Sequence, residues 1–99
     1  MTDRELLELA AKAIGTVYVD GASWDEGAGW NPLADDGDAL RLAVKLMIPL
    51  QFPDWADAAR TWGPKDAEEP CDEQFDGDPY AATRRAIVRA AAHIGENMK

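Results

Sequence analysis

The sequence predicts an α+β fold, a small mixed or antiparallel sheet packed with about three helices, in a single domain spanning residues 1–99. Three observations carry this expectation. Strongly amphipathic segments open and close the chain, and a third segment between them is apolar almost all the way round a helix. The stretches that separate them are short and apolar or polar and turn-rich, punctuated by glycine and proline, which suits strands and turns. A three-layer α/β/α sandwich is one arrangement that uses these parts economically.

Thr2 to Ile14 begins with a capping box, because Thr2 can cap the first turn while Glu5 reaches back to its backbone N–H. Leu6, Leu9, Ala10 and Ala13, with Leu7 and Ile14 alongside, make one apolar face, and Gly15 is placed to end the helix. Thr16 to Val19 reads as a strand, and the glycine-rich stretch from Gly21 to Leu33, with Trp24 and Trp30, as a hairpin that covers the sheet.

Asp35 to Met47 is the segment around which the chain is expected to organise. Ala39, Leu42, Ala43 and Leu46 form one stripe at helical spacing, and Leu40, Val44 and Met47 form a second beside it. Only Asp38, Arg41 and Lys45 remain to meet water, so the expectation is a core helix covered on more than one side. Ile48 to Phe52 reads as a strand at an edge or at its start, since Pro49 lacks a donor. Trp55 to Trp62 fits a two-turn helix or an irregular strand, and Gly63 to Gly77 a mobile loop or ragged hairpin. Asp78 followed by Pro79 starts the last helix, whose buried side is Ala82, Ala86, Ile87, Ala90, Ala91 and Ile94, with Gly95 at its expected end.

Nineteen acidic residues against ten basic ones leave a net charge of −9. Repulsion on that scale opposes general binding to nucleic acid or to an anionic membrane surface, and favours a basic protein surface. The charge is uneven: Asp20 to Asp38 holds six carboxylates and no base, and Asp54 to Asp78 holds nine against Arg60 and Lys65. After Asp78 the sign reverses with Arg84, Arg85, Arg89 and Lys99, so loops and helix can neutralise one another in part. The single cysteine, Cys71, excludes an internal disulfide. With no signal-peptide pattern and no transmembrane run, the expected location is the cytoplasm of the producing cell.

Candidate chemistry is sparse. His93 is the only histidine, and an acidic setting works against a reactive Cys71 thiolate. Asp35, Asp36 and Asp38 lack the glycine and distal glutamate of a calcium loop, and helix capping accounts for them. No phosphate loop is present, because Gly21, Gly27 and Gly29 lack its spacing and its lysine. No catalytic set, metal site or cofactor is expected. The four tryptophans are many for this length, and any left exposed would anchor a partner.

Three blocks, DRELLELAAKAIG at Asp3 to Gly15, WNPLADDGDALRLAVKL at Trp30 to Leu46 and DPYAATRRAIVRAAAHIG at Asp78 to Gly95, resemble the phage ABA-sandwich domain family of small phage and prophage proteins. The resemblance covers about half the chain and implies a three-layer sandwich and a phage origin. It implies no catalytic residues. Ile48 to Gly77 departs most from the family pattern, with its prolines and acidic run, and is the place to look for a protein-specific function.

The leading expectation is therefore a non-enzymatic binding protein of a phage or prophage, a counter-defence inhibitor of anti-CRISPR type that occludes a basic surface of a host effector. Its candidate contacts are Asp66, Glu68, Glu69, Asp72, Glu73 and Asp76 with Trp55 and Trp62. The alternatives are a nucleotide-binding protein using Arg84, Arg85 and Arg89 with a stacked tryptophan, and an accessory role in phage DNA metabolism or assembly. None of these readings of the partner calls for direct nucleic-acid or membrane contact.

Overall fold

The structure is a computed structural model that describes residues 2–15, 30–63 and 69–98. In chain order the described elements are α1 (Asp3–Ala13), α2 (Asp36–Leu46), β1 (Leu50–Gln51), β2 (Ala58–Thr61), β3 (Cys71–Gln74) and α3 (Pro79–Glu96). The strands form one antiparallel sheet in the order β1-β2-β3, which makes the protein a compact α+β fold. The strand expected at Thr16 to Val19 and most of the hairpin expected after it lie outside the described residues.

Local signals explain the helix starts. Thr2 accepts the Glu5 N–H at 3.1 Å while Glu5 accepts the Thr2 N–H at 3.1 Å, closing the capping box. Asp35 accepts from the Asp38 N–H at 2.8 Å, and Asp78 from the Ala81 N–H at 3.0 Å with Pro79 in the first turn. Gly15 follows α1 at φ +83°, the left-handed conformation expected there.

The sheet settles two alternatives left open by the sequence. Trp55 to Trp62 contains strand β2 rather than a helix, and Gly63 to Gly77 contains strand β3, paired as Ala59↔Glu73, Arg60↔Asp72 and Thr61↔Cys71. In the expected Ile48 to Phe52 strand, only Leu50 and Gln51 pair, at the sheet edge, with Pro49 just outside.

Strand alternation places Ala59, Thr61, Cys71 and Glu73 on the face that meets α3. There the buried Thr61 Oγ1 donates to the Ala86 carbonyl at 2.7 Å, and a Cβ on Gly63 would stand 2.2 Å from the Ala90 carbonyl oxygen. Sheet and helix backbones are therefore in direct contact.

The organising element is α3, which corrects the expectation placed on Asp35 to Met47. It is the helix against which α1, α2, β2 and β3 all pack. Ala86, Val88, Ala90, Ala91 and Ala92 are fully buried, and small side chains let each neighbour come close. Gly95 does not end the helix. It lies inside α3, and a Cβ there would fall 2.0 Å from the Leu9 carbonyl oxygen, so glycine permits the contact with α1.

Among the described residues, helix α2 is covered on one side only. Ala39, Leu42 and Ala43 are buried, whereas Leu40, Val44 and Met47 are 62%, 65% and 66% exposed. The second stripe, assigned to the core from its apolarity, instead faces outward.

Candidate partner-binding groove

Five of the nine charged candidates are ion-paired within the fold: Asp72, Glu73, Arg84, Arg85 and Arg89. Arg60 Nε and Nη2 donate to Asp72 Oδ1 and Oδ2 at 2.7 and 3.0 Å across the β2–β3 register. This two-pronged bond holds the Asp72 carboxyl below its ordinary range and raises the Arg60 guanidinium, and Trp55 lies over that guanidinium at 5.0 Å. On the opposite face Glu73 accepts from Arg89 and lies 4.0 Å from Arg85 Nε. Arg85 Nη1 also donates to Asp3 at 3.0 Å, and Arg84 Nη1 bonds Asp36 while its Nε donates to the Leu33 carbonyl at 2.9 Å.

Arg84, Arg85 and Arg89 thus tie α3 to α2, α1 and β3. An incoming anion would have to displace these carboxylates. Asp72 and Glu73 are engaged in the same way, whereas Glu69 and Asp76 are exposed at the surface. Trp55 is 71% exposed and Trp62 half-buried; Asp66 and Glu68 lie outside the described residues. Cys71 is buried in β3 with its thiol pushed up by burial, while His93 is exposed on α3. That raised thiol works against nucleophilic chemistry.

The feature the sequence did not disclose is an apolar groove of about 500 Å³ between α2, the first turns of α3 and the sheet. Leu40, Leu50, Phe52, Phe75, Tyr80 and Ile87 are among the side chains that line it. Phe52 and Phe75 stand at its sheet side, their ring centroids 6.3 Å apart and their planes tilted by 49°. At one end the groove shares Phe75 and Pro79 with a second hollow lined by Asp57 and Asp76. Both carboxylates are exposed, and neither joins an ion pair among the described residues.

Comparisons with protein-family models, curated proteins and solved structures found no match. The site is therefore read from its own chemistry. Its walls are apolar and its only charged lining residues among those described, Asp36 and Arg84, are bonded to each other. No described group of three or more His, Cys, Asp or Glu side chains could hold a metal ion, and no described helix is long and apolar enough to cross a membrane.

One signal for the groove was present in the sequence: the second apolar stripe of α2. It marked a surface that must be covered, without saying whether the covering comes from this chain or from another. Leu50, Phe52, Phe75 and Tyr80, scattered through turn-rich text, carried no comparable signal.

Proposed function

We propose that this chain is a non-enzymatic binding protein that engages a basic surface of another protein through the groove. Following the resemblance of its helical blocks to phage and prophage proteins, we further propose that the partner is a host defence component of the CRISPR-effector kind, whose nucleic-acid groove the protein occludes. The observation that carries the binding reading is the apolar groove opening onto Asp57 and Asp76. It joins buried-anchor chemistry to unneutralised negative charge, the pairing that gives an interface its affinity and its steering.

The geometry decides which variant tests the idea. Neutralising Asp72 or Glu73 would also release Arg60 or Arg89 from its partner, so a change in binding could not be assigned to the lost carboxylate alone. Leu40→Ser with Tyr80→Ser instead alters two exposed groove residues and leaves the net charge alone. Phage challenge of a defended host, with and without the protein, is the assay. Protection by the wild type and its loss in the folded double variant support the proposal; absence of protection by the wild type removes the counter-defence role. Binding to purified basic proteins, measured separately, tests the broader reading.

A further inference from the structure

We infer that the occupant of the groove is a basic amphipathic helix of the partner protein, an inference that rests on the binding reading above. Leu40 and Val44 stand at i and i+4 of α2 and Met47, its left-handed C-cap, at i+7, so by helical spacing they fall within an arc of about 60° and form a stripe about 10 Å long. All three are more than 60% exposed. Leu40 is also a wall of the groove, which makes stripe and groove one continuous apolar track.

A second helix laid along this track presents anchors with the same spacing and can interdigitate with it. An added strand fits less well. The sheet edge nearest the groove is β1, only two residues long and bracketed by Pro49 and Pro53, neither of which can donate to a new ladder.

Charge selects the partner's polar face. Arg84 is bonded to Asp36, and Asp57 and Asp76 at the groove's end join no ion pair among the described residues, so lysine or arginine flanking the apolar anchors would meet opposite charge. A second copy of this chain would bring the same carboxylates and a further net charge of −9.

The test uses the full chain and a fluorescein-labelled 15-residue leucine/lysine peptide with leucines at i, i+4 and i+7. Its controls are the leucine/glutamate counterpart and a proline-interrupted peptide of otherwise equal composition. Anisotropy should show binding of the helical lysine peptide alone, weakening as salt rises. Leu40→Ser with Tyr80→Ser should weaken it by roughly thirtyfold, and Asp57→Asn with Asp76→Asn by about threefold per charge, with a shallower salt dependence. Asp76 sits at φ +53°, which asparagine also tolerates, so that variant keeps its turn.

Equal binding of the lysine and glutamate peptides overturns the charge assignment, and equal binding of the interrupted peptide overturns the helical one. Sedimentation as a dimer that dissociates in the Leu40→Ser, Tyr80→Ser variant overturns the inference in favour of a second copy. Methyl NOEs from Leu40 to residues 16–29 of the same chain, with no peptide present, overturn it in favour of an internal occupant. If a folded basic protein binds through the groove while the helix does not, the helical inference falls and the binding reading stands. If neither binds, both fall.

Discussion

Helices α2 and α3 reverse the ranking that side-chain size suggests. Outside its acidic start, α2 is rich in leucine, yet it buries one stripe and turns another outward. Much of α3 is alanine, and it is enclosed by two helices and two strands. The difference lies in how closely backbones approach. A leucine face holds its neighbour at side-chain distance, while alanine and glycine bring the neighbour's main chain into contact, as at Gly95 with Leu9 and Gly63 with Ala90. Apolar bulk announces that a surface must be covered; small residues announce where the chain is packed most tightly.

If that reading is right, adding a single methyl group should carry a penalty as large as emptying the core. Gly95→Ala puts a Cβ 2.0 Å from the Leu9 carbonyl oxygen, and Gly63→Ala puts one 2.2 Å from that of Ala90. Because backbone rather than a flexible side chain is struck, each should cost about 3 kcal/mol, even though alanine favours a helix over glycine. Urea denaturation measures it. A Gly95→Ala midpoint equal to wild type would mean that α1 can shift freely on α3, and the comparison would fail.

The second test lies within α2. Leu42 is 2% exposed and Leu40 62%. Leu42→Ala should cost about 2–5 kcal/mol, and Leu40→Ala should stay within roughly 0.5 kcal/mol. The same chemical change about 3 Å along one helix axis then reads as core in one case and as surface in the other. Equal costs would show that the outward stripe is covered within this chain.

These contrasts also locate what was legible in the sequence. Helix starts were readable from Thr2 with Glu5, from Asp35 and from Asp78 with Pro79, because N-capping is decided by neighbours in the chain. Strands β2 and β3 were not, since Ala58-Ala59-Arg60-Thr61 and Cys71-Asp72-Glu73-Gln74 are not the β-branched and aromatic runs that announce a strand. They are strands because they pair with each other and lie beneath α3. Charge balance between loops and last helix was visible in outline, but the assignment of Asp36 to Arg84, Asp3 to Arg85 and Glu73 to Arg89 needed the tertiary fold. The groove needed it most, being assembled from three separate elements.

A smaller effect is expected where sheet meets helix. Thr61→Val keeps the shape of a fully buried side chain but removes its bond to the Ala86 carbonyl. That carbonyl lies inside α3 and keeps its helical partner, so the loss should be about 1 kcal/mol. A loss several times larger would place the junction on this one hydroxyl instead of on backbone contact.

The smallest effect, and the one with a definite sign, belongs to the outer face of the sheet. Asp72 has its pKa depressed first by the hydrogen bonds from Arg60, and then by the nearby charges of Arg60 and Arg89. A carboxylate lowered in the folded state favours folding at neutral pH. That contribution is fully present above its ordinary 3.8 and is lost as pH falls through the lower folded value. Asp72→Asn should therefore lower stability slightly at pH 7 and flatten the acid limb below about pH 4, with the two proteins converging as the pH drops. Because the pair is solvent-exposed, added salt should shrink the difference at pH 7. Should the variant instead lose as much as Leu42→Ala, the outer face would rank with the core, and stability could no longer be assigned to close packing around α3.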